Sequence, residues 1–188
     1  MGKKLSEMTL EELWKLFPIF LTEYKDCWKD NYGEMEKRIR QKLSKVNITR
    51  ISHIGSTAIQ NIQAKDIVDI LLEVSPLENL ENISLKIEEL GFIQMSSSKN
   101  RCSFNYGYTE NGFSDKVYHL HLRYDGDHDE LYFRDYMNDH PECAKEYERL
   151  KLKLWREFEF NRDGYTEAKT DFVKKYTAIA KKEYKNRY

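Results

Sequence analysis

The sequence predicts an α+β fold: a mixed β-sheet covered by N-terminal helices, followed by a helical C-terminal region. Three observations carry that expectation. Apolar residues recur four apart at Met35, Ile39 and Leu43, which marks one helical face. The period then changes, and β-branched runs at 48–54 and 67–74, with an alternating run at 116–123, read as strands. From about residue 129 onward the pattern is helical again.

Each element follows from local chemistry. Thr9 precedes Leu-Glu-Glu-Leu-Trp with Glu12 three positions on, a capping box that starts a helix, and Pro18 ends or restarts it. Residues 34–44 form a second helix, charged on its outer face, and both helices are expected to cover the sheet. Gly55-Ser56 breaks the strand at 48–54 and leads into a short helical turn through about residue 62. Residues 67–74 are the strongest strand of the chain. A helix over 82–90 is closed by Gly91 at its C-terminus. Residues 92–95 make a short strand, and 96–115, rich in Ser, Asn and Gly, read as a hairpin region or a loop. KVYHLHLR at 116–123 is a strand. The C-terminal helical stretch breaks at His140-Pro141, with Pro141 placed at the first position of a new helix. Residues 161–164 are a connection and 165–182 a last helix. The domain reading is a core of residues 1–128 with a helical region of 129–188 packed on it as one unit.

Composition narrows the function classes. The chain of 188 residues is long enough to bury a core without disulfides or metals. Its three cysteines are odd in number and widely spaced, which supports neither a disulfide framework nor a zinc knuckle, so free thiols in the cytoplasm are expected. No apolar run approaches the roughly 20 residues that cross a bilayer. MGKKLSEMTLEELW has no apolar stretch behind its lysines, so it does not read as a secretory signal, and Gly2 with Ser6 alone makes no myristoylation pattern. The charge is segregated: residues 51–140 carry 7 basic against 15 acidic residues, while both flanks are net basic. An acidic middle suits metal binding, and nothing is basic enough to announce nucleic acid. Oligomeric state is left open.

The candidate site lies in HIGSTAIQNIQAKDIVDILLEV, residues 53–74. Alternation along the strand sends Val68, Ile70, Leu72 and Val74 one way and Ile67, Asp69, Leu71 and Glu73 the other. Asp69 therefore projects from a strand apolar on both faces, where a carboxylate needs a partner or a cation. Glu73 is expected to reach water at the strand end. Gly55, Ser56 and Thr57 sit where a strand hands over to a helical turn, a place that can aim backbone N–H groups and a hydroxyl at phosphate. Lys65 either neutralises a ligand's phosphate or caps the approach to the strand.

Four blocks occur in one order: HIGSTAIQNIQAK with IVDILLEV, then YHLHLR, FRDYMNDHPECAKEYERLK and YTEAKTDF. They resemble the GrpB family, placed within the nucleotidyltransferase superfamily, and LEELWKLFPIFL fits as well, so the resemblance covers nearly the full chain. It implies a nucleotidyltransferase-like mixed sheet. It also implies transfer of a nucleotidyl group from a nucleoside triphosphate, with a divalent metal ion, magnesium or a transition metal, held by strand carboxylates. The chain departs from the family pattern at Asp66, where a proline usually follows the lysine, and at Gln60-Asn61, where Pro-Gly is usual. The superfamily's second acid, two residues after the first, is Leu71 here. Glu73 cannot replace it, because four strand residues span roughly 13 Å.

By the same analogy, His119 and His121, on one face of their strand with Arg123, supply the missing ligands. Asp69, His119 and His121 would form a two-histidine, one-carboxylate metal set, His53 would point into the same cleft, and Arg123 would hold phosphate with its planar fork. His128 and His140 are expected to be incidental and Trp14, Trp28 and Trp155 to be core contacts. Arg134-Asp135, Tyr165 and Lys169, in the family-like blocks, would either reach over the cleft to a base or phosphate or, the favoured reading for Arg134 and Lys169, be structural or surface groups. The expected ligand is a nucleotide or other phosphorylated small molecule. The leading reading is a nucleotidyltransferase-fold protein that binds this ligand between the Gly55-Ser56 turn and the strands of Asp69 and His119/His121, with metal-dependent nucleotidyl transfer, Asp69 catalytic, as the activity it would have as an enzyme. The alternative is a non-catalytic accessory module, since GrpB-like domains are also found fused to the enzyme that phosphorylates dephospho-coenzyme A. Metal-assisted hydrolysis ranks last.

Overall fold

A computed structural model describes residues 3–185 and 187–188; Gly2, weighed above as a lipidation site, lies outside the described residues. Five strands form one mixed sheet: β1 (Ile48–Ile54), β2 (Val68–Val74), β3 (Ile93–Ser97), β4 (Arg101–Thr109) and β5 (Gly112–Tyr124), in the order β1-β2-β5-β4-β3. β2 pairs antiparallel with β1 and parallel with β5, and β5-β4-β3 is an antiparallel meander. The Ser/Asn/Gly-rich stretch is thus a hairpin rather than a loop, and β5 begins four residues before the alternating run.

Three helices precede or interrupt the strands: α1 (Leu10–Leu16), α2 (Cys27–Lys42) and α3 (Leu80–Glu88). Thr9 caps α1 as expected, its backbone N–H donating to Glu12 at 2.7 Å. α2 starts seven residues earlier than its spacing announced and buries Trp28, Met35 and Ile39. These, with Leu80, Ile83 and Ile87 of α3, pack on Val68, Ile70, Leu72 and Val74 of β2. α1 does not cover this layer: none of its residues is buried. Asp66 accepts hydrogen bonds from Lys25 and from the Trp28 indole, both at 2.6 Å, which ties the entry of β2 to α2 where the family's proline usually stands. Asn61, in the place of the usual glycine, has φ 58, a conformation that asparagine tolerates better than most residues.

The opposite face of the sheet meets the C-terminal helices α4 (Asp129–Asp139), α5 (Pro141–Phe158), α6 (Arg162–Glu167) and α7 (Thr170–Glu183). Pro141 does open α5. The segment expected to be a connection followed by one helix is instead two helices. Asn161 caps α6 by accepting from Gly164 N–H at 2.9 Å, and the break before α7 falls at Ala168 and Lys169. Leu131 of α4 seals Leu71 and Ile54, while Tyr132, Tyr136, Tyr147 and Tyr176 bind α4, α5 and α7 to one another. No described helix is long and apolar enough to cross a membrane. Cys27, Cys102 and Cys143 are free.

Candidate functional site

β1 ends at Ile54, and Gly55 takes φ 71, ψ −170, a region that side-chain-bearing residues essentially do not adopt. A Cβ added to Gly55 would fall on the Oδ2 of Asp69 and 2.9 Å from its Cγ. Glycine is therefore required twice, for the backbone bend and for the close approach of the Gly55-Ser56 turn to the carboxylate. Ser56–Ala58 is a 3-10 turn.

The sheet register sets Asp69 beside His119 and Leu71 beside His121. Asp69 Oδ1 lies 3.2 Å from His119 Nδ1 and 3.7 Å from His121 Nε2. Burial pushes the Asp69 carboxyl up, but His119 and His121 together outweigh it and hold the group well below the usual carboxylate range, so it is ionised. Burial also keeps the His119 imidazole below its ordinary value, against the pull of Asp69. Tyr108 OH sits 2.8 Å from His119 Nε2, and Arg162 Nη2 donates to the same hydroxyl at 2.7 Å. The consistent assignment is Arg162 to Tyr108 to His119 Nε2, which leaves the Nδ1 proton directed at Asp69.

A cationic wall faces this group. Lys65 approaches β2, Lys151 comes from α5 and Lys169 from the α6–α7 break. The Lys65 and Lys169 ammonium groups lie 5.5 and 4.1 Å from the centre of the Tyr165 ring. Lys151, 1% exposed, donates to the Gln63 carbonyl. Burial, reinforced by Lys169 and Arg162, lowers Lys65 to about 7. Burial and Lys169 lower Lys151 to about 7, and burial lowers Lys169 to about 8 against Asp69. These groups line a cavity of about 860 Å³ together with Gly55, Ser56, Asp69, His119, His121 and Arg162.

Six residues singled out in the sequence thus converge: Gly55, Ser56, Lys65, Asp69, His119 and His121. Thr57 does not join them. Its buried hydroxyl donates to the Ile67 carbonyl at 3.1 Å and meets His53 Nε2 at 2.9 Å, so it locks the turn to β2. Arg123 shares the strand face but is held by Glu130 at 2.6 Å and by Asp127, which leaves its fork no free edge for phosphate. His53 points to the other face, stacked on Tyr32 at 5.1 Å. Arg134 is structural, donating to the His53 carbonyl at 2.9 Å. Lys169 and Trp14, read as surface or core, both line the cavity, and Lys151, Arg162 and Tyr108 were missed. The signal for the cations was the net basic C-terminal flank beside an acidic middle; nothing in the linear order said which of its residues turn inward.

The expected metal set has its histidines against Asp69 Oδ1, at 3.2 and 3.7 Å, with His119 Nε2 taken up by Tyr108, and Leu71, sealed by Ile54 and Leu131, offers no second acid beside Asp69. Among the described residues, one group brings three ligand-type donors within 4.8 Å of one another: Glu73, Asp125 and His128. It lies at the far end of β2, and the Arg50 guanidinium already stands 3.5 Å from Glu73 and 3.4 Å from His128. Glu73 does not reach water; it is fully buried and takes His128 Nδ1 at 2.7 Å and Gly126 N–H at 3.0 Å, so His128 is structural rather than incidental.

The fold is nucleotidyltransferase-like. Solved structures of the Cid1 poly(U) polymerase, bound to MgATP and to MgGTP, match with TM-scores of 0.51 and 0.52 at 9% and 14% identity, covering 79% of this chain and 47% of theirs. The family model described as GrpB protein matches residues 18–178, and the chain belongs to the GrpB family. The crystal structure of GrpB from Enterococcus faecalis matches with a TM-score of 0.75 and 27% identity over 88% of this chain and 99% of that one. The glutamate-rich protein GrpB of Alkalihalophilus pseudofirmus is 31% identical over 82% of this chain and 91% of its own length. The UPF0157 protein YqkA of Bacillus subtilis is 28% identical over 98% of this chain, which spans about half, 54%, of that relative.

Proposed function

We propose that this protein binds a nucleotide or another phosphorylated small molecule in the cleft between the Gly55-Ser56 turn and helices α5–α7. The observation that carries the reading is the convergence of Lys65, Lys151, Lys169 and Arg162 on one cavity, with three of the four held below the ordinary ammonium range. Packing like charges together is unfavourable, and a polyanion among them relieves it. The Ser56 hydroxyl and the N–H groups of its turn add the uncharged donors that phosphate oxygens use. The nucleotide complexes of the Cid1 structures support a nucleotide in particular. Binding without transfer accords with Leu71, because the acid that a paired-carboxylate mechanism needs is replaced by a buried apolar side chain.

Thermal unfolding with tripolyphosphate, ATP, CTP, GTP and UTP tests the reading. At least one should raise the melting temperature in proportion to the logarithm of its concentration, and Lys65→Ala with Lys169→Ala should abolish the rise. No stabilisation by any of them, or equal stabilisation of the double variant, refutes it. Nucleotidyl transfer is the second reading, favoured by the ionised Asp69 at the foot of the turn. Label passing from a nucleoside triphosphate to an acceptor in cell extract, and lost in Asp69→Asn, would establish it; stabilisation without turnover would leave the binding module.

A further inference from the structure

We infer that the bound phosphate compound also carries a large apolar or aromatic group, seated on helix α1 and the edge strand β3. The inference rests on the phosphate reading above and extends it to the rest of the ligand. Register places Asp69, His119, Asn105 and Ile93 in one row across β2, β5, β4 and β3. Three strand spacings separate the ends of that row, about 14 Å. Along it the chemistry changes from carboxylate through imidazole and amide to bare hydrocarbon.

Helix α1 forms the other wall at the hydrocarbon end. Leu10, Leu13 and Trp14, spaced three and four apart, share one helical face and line the cavity. Phe17 anchors the end of the helix, with its ring 4.8 Å from Tyr108 and 5.0 Å from Phe113. Seven residues are too few for a helix to hold itself together in water, and α1 buries none of its own residues. Leu10 is 63% exposed, Met95 59% and Ile93 52%, so the two walls of one cavity present uncovered apolar surface to each other. Singly exposed apolar residues need no explanation, but a facing set inside a concave site beside a cationic wall does. Gln94 and Asn105 supply hydrogen-bonding edges at that end. Inorganic phosphate cannot bridge the distance from the lysines; an extended nucleoside polyphosphate or a phosphorylated alkyl chain can.

The test is calorimetric titration of the full chain with tripolyphosphate, ATP and octyl phosphate. At least one organic phosphate should bind at least about tenfold more tightly, per phosphate group carried, than tripolyphosphate. Trp14→Ala should weaken that ligand at least about tenfold more than it weakens tripolyphosphate. Leu10→Asp, at an exposed position where folding is not at stake, should do the same. ATP preferred over octyl phosphate identifies an aromatic base at α1, and the reverse an aliphatic chain. If tripolyphosphate binds as well as either, or the variants weaken all three ligands by one factor, the phosphate reading stands and this inference fails. If the wild type binds none of the three, both fail.

Discussion

Replacing Gly55 with alanine puts a methyl carbon where the Asp69 carboxylate now lies. The backbone at φ 71, ψ −170 costs a side-chain-bearing residue about 1–3 kcal/mol. The Cγ of Asp69 would be 2.9 Å from the new Cβ, whereas ordinary contact begins at 3.4 Å, so the carboxyl must retreat by about half an ångström and its Oδ2 by more. The displaced carboxylate cannot keep the geometry in which Oδ1 now lies 3.2 Å from His119 and 3.7 Å from His121. Loosening a partly buried carboxylate from its partners adds about 1–3 kcal/mol. The sum is about 2–6 kcal/mol, or a fall in melting temperature of roughly 4–24 °C for a domain of this size. Urea unfolding should show a lower midpoint at unchanged m-value. His119, whose pKa the carboxylate raises, should titrate at an altered pH by NMR. Gly126→Ala is the control: it also has positive φ, at 95, but meets no atom within 4 Å, so it isolates backbone strain from the clash. If Gly55→Ala changes stability by less than about 0.5 kcal/mol and leaves the His119 titration in place, the close approach of Asp69 to Gly55 is refuted.

Further outcomes follow from the same geometry. Burial holds His53 at about 4, below the ordinary imidazole value of 6.5. The unfolded chain therefore takes up the proton first, so the contribution of His53 is present above pH 6.5 and is lost as pH falls from there to about 4. Unfolding free energies from urea titrations at pH 5 and 7.5 should differ by about 1–2 kcal/mol more in the wild type than in His53→Gln. A polyanion bound among the lysines favours their charged forms, whose free-state values are about 7 for Lys65 and Lys151 and about 8 for Lys169. Tripolyphosphate affinity should fall as pH rises through 7 to 8, and calorimetry in buffers of different ionisation enthalpy should show proton uptake at pH 7.5. Thr57→Val strands the Ile67 carbonyl and the His53 nitrogen and should cost about 1–3 kcal/mol by urea unfolding, with no change in tripolyphosphate affinity beyond twofold or so.

Much of the fold was legible because periodicity reports burial directly. The β1 limits agree with the sequence reading to the residue, and the two faces of β2 divide as alternation says. The hairpin was harder to read because β3 is exposed along most of its length, so little hydrophobic alternation marks it. Asp69, Gly55 and the paired histidines were legible because each breaks an otherwise apolar pattern. Lys151 was not, since a lysine on a charged helix looks the same whether it points to water or, as here, into a cavity 1% exposed. Arg123 misled for the related reason that parity fixes a strand face but not a partner. Glu130 and Asp127, from the turn and helix beyond, claim its guanidinium.

The line from Arg162 through Tyr108 and His119 to Asp69 draws its members from α6, β4, β5 and β2. Each link satisfies the next, so losing any single member strands a polar atom in its neighbour. Across relatives these four positions should accordingly covary, exchanged as a set or kept as a set, and a lone substitution at one of them should be rescued only by a matching change at the adjacent link.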